Sequence, residues 1–235
     1  MHVPDLLIII FLIAGAAIAV YKKKLTPAAA ITGALTGGAI YAGGSYPGLL
    51  LLGLFFILGT AATSWKKEKK GTIKSNAAHE STRTTGQVLA NAGVAAILGL
   101  LALLLTDQQP LFLLMMAASL SSATADTLSS ELGMIYGRRF YNLLTLKRDE
   151  RGLDGVISIE GTLLGIAGST LIAAAFTLAT RYTLRSFLLV ILAGTIGNLV
   201  DSLLGALFER KGWLTNNTVN FLNTLAAALF VLMLY

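Results

Sequence analysis

The sequence predicts an all-α, polytopic membrane protein: one transmembrane domain over residues 1–235, about eight spanning helices, and a polar pocket facing the cytoplasm. Three observations lead there. The 235 residues are 55% apolar and only 13% charged, with a mean hydropathy of +0.73, whereas soluble domains average about 25% charged. Apolar runs of spanning length, roughly 17–25 residues, recur along the chain. The 18 Lys and Arg fall almost entirely in alternate connections between those runs. The period-two alternation of a membrane barrel is absent, and backbone groups cannot stay unpaired in lipid, so each run reads as a helix.

The first run, 5–21, has no basic residue before it and Lys22, Lys23 and Lys24 directly after it. That order predicts a retained anchor with its N-terminus outside rather than a cleaved signal peptide. The second, 26–43, is the weakest, rich in Gly and Ala and short of Leu, and a count of seven is the alternative to eight. Its Gly33-xxx-Gly37 spacing suits close helix packing. The others are 47–64, 88–106, 111–136, 157–180, 185–208 and 218–235. Lys66, Lys67, Lys69, Lys70, Lys74 and Arg83 follow the third run. Arg138, Arg139, Lys147, Arg148 and Arg151 follow the fifth, and Arg210 and Lys211 the seventh. Only Arg181 and Arg185 fall on the other side. The positive-inside rule then puts the basic loops in the cytoplasm and both termini outside, in the inner membrane if the cell is prokaryotic. The run from Lys66 to Lys70 reads mainly as a topology anchor.

Several chemistries are excluded. With no cysteine there is no disulfide, thiol nucleophile or Cys-zinc site. His2 and His79 are the only histidines, which rules out an HExxH metalloprotease. The net charge of +6 is topology charge and implies no nucleic-acid partner.

Four carboxylates fall within or just inside apolar runs: Asp126, Glu131, Glu160 and Asp201. Such groups cost a few kcal/mol to insert and usually face a bundle interior. Asp126 belongs to a stripe of Ser119, Ser122, Ser130 and Gly133 at three- and four-residue steps, and Asp201 to one of Gly194, Asn198 and Gly205. Both segments run toward the cytoplasm, and Asp126-Thr127-Leu128 matches Asp201-Ser202-Leu203, which suggests a parallel repeat. Gln87 and Asn91 open the fourth spanning helix, and Asn216, Asn220 and Asn223 share a face of the eighth. The polar clusters therefore gather at one membrane face, which suits an anionic cytosolic substrate meeting a lipid better than a pathway through the membrane.

Six stretches in order carry a family resemblance: Gly59-Thr60-Ala61-Ala62-Thr63 with its lysines, Gln87 through Gly93, Ala125-Asp126-Thr127 with Glu131-Leu132-Gly133, Asp154 through Ser158 with Gly161-Thr162, Gly197-Asn198 through Gly205, and Thr215-Asn216-Asn217 with Val219-Asn220. From about residue 26 onward the chain resembles the family of integral membrane proteins that includes chloroplast phytyl-phosphate kinase and the animal transmembrane protein nineteen. It departs from that family at Ser64-Trp65 and in the loop from Thr145 to Gly155, where prolines are missing and Asp149 and Glu150 soften the positive field.

The resemblance implies phosphoryl transfer from CTP, or another nucleoside triphosphate, to an isoprenoid monophosphate such as phytyl phosphate, giving the diphosphate. It implies Mg²⁺ held by Asp126, Asp201 and Glu131, which are also the catalytic set. Lys66, Lys67, Arg83 and Lys147 are then expected to hold phosphates. Gln87, Asn91, Asn198, Asn216 and Asn220 are expected to bind the nucleotide or its phosphates. No Walker A or GxGxxG stretch is present, so a nucleotide site is not of a soluble type. Two rival readings stand beside this one: a secondary transporter of a small anionic or lipid-linked solute, and a non-catalytic lipid-binding protein in which the polar stripes join helices.

Overall fold

The computed structural model describes residues 3–71 and 82–235; His2, Lys74 and His79 lie outside the described residues. Its helices are α1 (Val3–Tyr21), α2 (Pro27–Ser64), α3 (Lys67–Gly71), α4 (Thr85–Leu104), α5 (Gln109–Tyr136), α6 (Ile159–Thr180), α7 (Leu184–Leu204) and α8 (Asn216–Leu234). A two-stranded antiparallel hairpin, β1 (Tyr141–Asn142) and β2 (Val156–Ile157), lies between α5 and α6. Among the described residues, six helical stretches are long and apolar enough to cross a membrane, and Leu6–Tyr21 is a shorter apolar helix beside them.

Sequence and structure agree on a helical membrane architecture. Residues 26–43 and 47–64 read as two runs, and within α2 they are two helical segments that meet at Ser45, whose φ of 49° and ψ of −148° are not helical. Pro47 explains the break, since it has no N–H to donate and crowds the turn before it. The chain reverses there: a side chain on Gly48 would meet the Ile40 carbonyl oxygen at 3.1 Å, and one on Gly37 would meet Leu52 at 3.5 Å. In a straight helix residues 37 and 52 would be about 22 Å apart. Gly37 also faces Leu12 of α1, so half of the Gly33-xxx-Gly37 pair packs as expected, while Gly33 meets only Leu25.

Two ends of the bundle follow from the contacts. At one end, Thr26 N–H donates to the Arg83 carbonyl at 3.0 Å, Lys24 Nζ to Ser64 Oγ at 2.8 Å, and Trp65 Nε1 to Tyr136 Oη at 2.8 Å. At the other, Gln109 Nε2 donates to the Gly43 carbonyl at 3.2 Å, Tyr182 Oη to the Pro110 carbonyl at 3.0 Å, and Arg185 to the Leu234 carbonyl at 2.6 Å. The helix ends reached by α5 and α7 therefore lie at the first, loop-rich end.

α5 is the central helix and touches α2, α4, α6, α7 and α8. Small residues let its neighbours approach. Gly194 of α7 sits against Ser121, Gly197 against Ser122, and a side chain on Gly133 would meet the Gly161 Cα of α6 at 3.0 Å. Gly43 and Gly99 let the α2 turn press on α4 so closely that a side chain at either would collide with backbone. The bundle is divided in two along its length. Ile40, Leu51, Leu114, Met116, Leu120, Phe176, Val190 and Val231 fill the half beside the Ser45 turn with apolar side chains. The other half holds the polar groups.

Candidate functional site

In the polar half a cavity of about 380 Å³ opens between α4, α5, α7, the start of α8 and the α5–α6 loop. Asp126 of α5 and Asp201 of α7 meet in its wall, with their carboxyl groups within hydrogen-bonding reach of one another. They do so because Gly194 and Gly197 allow α7 to lie directly on the serines of α5. Asp201 is held from behind. The fully buried Asn223 donates to its Oδ1 at 2.7 Å and accepts from Ser122 Oγ at 2.9 Å, tying α5, α7 and α8 together. With its amide turned so that the NH₂ faces the carboxylate, Asn220 donates to the same Oδ1 at 3.1 Å. Two carboxylates this close repel unless a proton or a cation lies between them.

The donor chemistry of that pair fits Mg²⁺, which typically takes one or two protein carboxylates, several waters and the substrate's phosphates. The third expected ligand is placed otherwise. Glu131 Oε2 lies 2.6 Å from Lys70 Nζ, and among the described residues no three acidic or histidine side chains converge as a metal cluster. Asp126 and Asp201 are the pair that meets, while Glu131, which also lines the cavity, is engaged by Lys70.

Lys70 is a residue that the sequence reading passed over as part of a topology anchor. It is 0% exposed and has three acceptors: Glu131, the Ala62 carbonyl at 2.6 Å and the Thr63 carbonyl at 3.2 Å. It thus closes the free carbonyl end of α2 and neutralises Glu131 together. The available signal was Glu131 itself, since an acid at that depth needs a cation.

Of the residues expected to hold phosphate, Arg83 lines the cavity and Lys66, Lys67 and Lys147 do not. The Arg83 guanidinium lies over the rings of Phe55 and Phe56, at 5.2 and 5.8 Å, and against Gly59, where a side chain would come within 2.5 Å of it. Burial lowers its pKa, and the nearby Glu131 opposes that shift. Lys66 instead stacks on Tyr136 at 5.2 Å and on Trp65 at 5.9 Å, while Lys67 and Lys147 are exposed.

Gln87, Asn91, Asn198, Asn216 and Asn220 all line the cavity. Gln87 Oε1 accepts from Thr84 N–H at 2.9 Å, a capping box that starts α4. Asn91 is 8% exposed. Its Nδ2 donates to the Gln87 carbonyl at 2.9 Å, and its Oδ1 is buried with no partner.

The α5–α6 loop forms the outer wall. Asn142 Oδ1 accepts from the N–H groups of Leu144 and Thr145, which tightens the hairpin. Arg210 donates to the Asp154 carbonyl at 2.6 Å and to Asp149 Oδ2 at 2.8 Å. Gly155, at φ 73°, lies flat against Ala206, where only a glycine fits. Hydrogen bonds from the Glu150 N–H, Arg210 and Asn142 hold the Asp149 carboxyl below the usual carboxylate range. Asp149, which softens the positive field in sequence, is thus the anchor of Arg210. The loop carries Asp154, and a widened π-type turn at Gly205–Glu209 carries Glu209, onto the wall. Neither was singled out for the site from the sequence, because both lie beyond the apolar runs. Glu160, an early candidate, accepts from Arg138 N–H at 3.3 Å outside the cavity.

Comparison with known proteins sets this site in a family. The chain is 37% identical to an uncharacterized membrane protein of Methanocaldococcus jannaschii over 191 residues, 80% of this chain and 76% of that one. It is 34% identical to the chloroplastic Protein VTE6 of Arabidopsis thaliana over 182 residues, 75% of this chain but 55% of that one, so it spans about half of that protein's length. It is 31% identical to an uncharacterized membrane protein of Synechocystis over 220 residues, 93% of this chain and 85% of that one. No solved structure matches it. The profile of the family described as Integral membrane protein DUF92 matches residues 9–228, and the chain belongs to that family of integral membrane proteins.

Proposed function

We propose that this protein transfers a phosphoryl group from CTP, or another nucleoside triphosphate, to an isoprenoid monophosphate such as phytyl phosphate at the cytoplasmic face. The observation that carries this is the Asp126–Asp201 pair, brought together from two helices inside a polar cavity at the membrane end that also carries the basic loops. The resemblance of the sequence to the phytyl-phosphate kinase family supports the same chemistry, and the match to the Arabidopsis relative is in keeping with it. In the transfer, an oxygen of the acceptor phosphate attacks the terminal phosphorus of the triphosphate. The bond to the bridging oxygen breaks, and the nucleoside diphosphate leaves with that electron pair. Such a reaction needs alignment and charge neutralisation more than covalent catalysis.

Asp126 and Asp201 would hold Mg²⁺, which supplies positive charge to the phosphates when bound. Arg83, in an apolar setting that strengthens its field, would clamp a phosphate. Asn220 and Asn223 fix Asp201 in position. The transporter reading finds no comparable support, because the half of the bundle beside the Ser45 turn is filled with apolar side chains. The test is purified protein in lipid nanodiscs with Mg²⁺, a panel of labelled nucleoside triphosphates and prenyl monophosphates. Labelled diphosphate is expected from wild type. Asp126→Asn and Asp201→Asn are each expected to lose about 10²–10³-fold while staying monodisperse, the usual size for one group facing developing charge. Near-normal turnover in both variants would refute the assignment.

A further inference from the structure

We propose that the isoprenoid tail of the acceptor leaves the polar cavity across Ile157 and Ser158 and lies in an apolar groove roofed by the β-hairpin on the outer face of α6. This rests on the reading of the acceptor as an isoprenoid monophosphate. Its phosphate must reach the aspartates, while a hydrocarbon chain is driven out of water, so the chain must find a way from a polar cavity to the acyl chains. Two seams beside the cavity are tightly packed. Between α5 and α6, a side chain on Gly161 would meet the Ser129 carbonyl at 3.0 Å, which leaves no room for a chain at that level. Between α4 and α8, Phe221 rests against Gly93, where a side chain would meet its ring at 3.5 Å.

Beside the β-hairpin the polar cavity and an apolar one share a wall. Ile157 and Ser158 line the main cavity and also a second one of about 180 Å³ completed by Tyr141, Ile159, Thr162 and Leu163. Tyr141 pairs in register with Ile157 and forms the roof. Below it Ile159 is 71% and Leu163 59% exposed, turned outward from the bundle. Two side-chain oxygens bordering the groove are already bonded. Thr162 Oγ1 donates to the Ser158 carbonyl at 3.0 Å, and Ser158 Oγ accepts from Gly161 N–H at 3.1 Å. With these bonds made inside the protein and Ile159 and Leu163 exposed, the groove suits a hydrocarbon chain better than a polar headgroup.

The test uses geranylgeranyl monophosphate with a diazirine on its tail, photolysed with the full-length protein in nanodiscs, and a diazirine phospholipid in parallel. Labelling is expected at Tyr141 and residues 157–163. A saturating excess of unmodified geranylgeranyl monophosphate, about ten times its Kd, is expected to suppress it about tenfold, and dimethylallyl monophosphate at the same concentration, which lacks the long tail, to suppress it far less. Leu163→Trp is expected to raise the KM for the long-chain acceptor about tenfold and to leave dimethylallyl monophosphate turnover unchanged. Labelling spread evenly to Leu171 and Leu178 on the same face, or labelling that the long-chain competitor does not suppress, assigns the groove to ordinary bilayer lipid and overturns the proposal. Phosphoryl transfer measured in the same samples separates the two readings. Competed labelling without transfer sinks the kinase and keeps the tail seat; transfer without such labelling does the reverse.

Discussion

At the scale of single residues, the structure separates carboxylates that look alike in sequence. Asp126 and Asp201 face one another, whereas Glu131 faces a buried lysine. Removing Lys70 leaves Glu131 and two carbonyls without their cation, so Lys70→Met is expected to cost about 3–5 kcal/mol of stability, the range for breaking a buried pair. Thermal unfolding in detergent measures it. Glu131→Gln is expected to leave the Mg²⁺ concentration for half-maximal activity unchanged, while Asp201→Asn raises it. A matching rise in Glu131→Gln would return Glu131 to the metal. The unpartnered Oδ1 of Asn91 makes a second expectation. A buried acceptor without a donor costs about 1–3 kcal/mol, so a substrate N–H or O–H that fills it gains that much. Asn91→Leu is therefore expected to raise the nucleotide KM by about tenfold or more, with thermal stability unchanged or improved. A loss of stability with normal KM would show that Asn91 only joins helices. The aspartates were legible because an acid inside an apolar run is conspicuous. Lys70 was not, because a lysine beside the membrane is ordinary until its fold-back is seen.

At the scale of elements, the sequence located the helices by their apolar lengths, and the break between 26–43 and 47–64 was readable from Gly44, Ser45 and Pro47. The α5–α6 loop was not readable. Its form depends on Arg210, more than fifty residues away, and on a glycine seated against Ala206. No local periodicity reports such contacts. The pin has a pH signature. The folded Asp149 carboxyl titrates below its ordinary value, so its contribution is complete above the unfolded carboxyl pKa of about 3.9 and disappears as pH falls through the lowered value. Hydrogen exchange in residues 141–157 is expected to stay slow from neutral pH down to that range and to quicken below it, after correction for intrinsic rates. Arg210→Ala is expected to give the fast-exchanging loop at neutral pH. An unchanged loop in that variant would show that the β-pairing and Gly155 hold it alone.

At the scale of the whole molecule, one polarity governs both topology and site. Lys22 to Lys24, Lys66, Lys67, Lys69, Lys70, Arg83, the five cations from Arg138 to Arg151, Arg210 and Lys211 lie at the end that holds the cavity, and Arg181 and Arg185 at the other. Basic residues near span ends tend to stay on the cytoplasmic side during insertion, so the charges expected to orient the bundle also surround the place where a phosphorylated substrate would enter. A cation-rich mouth raises the local concentration of anions, an effect that salt screens within about 10 Å at 0.1 M. The chain has no cysteine, which makes orientation directly measurable. Lys211→Cys beside the cavity and Arg181→Cys at the opposite end are both exposed positions. In intact bacterial cells expressing the protein, a membrane-impermeant maleimide is expected to label position 181 and to label position 211 only after the inner membrane is breached. The opposite pattern would put the site on the outer face, away from cytosolic nucleoside triphosphates, and would leave the aspartate pair without the donor that the kinase reading requires.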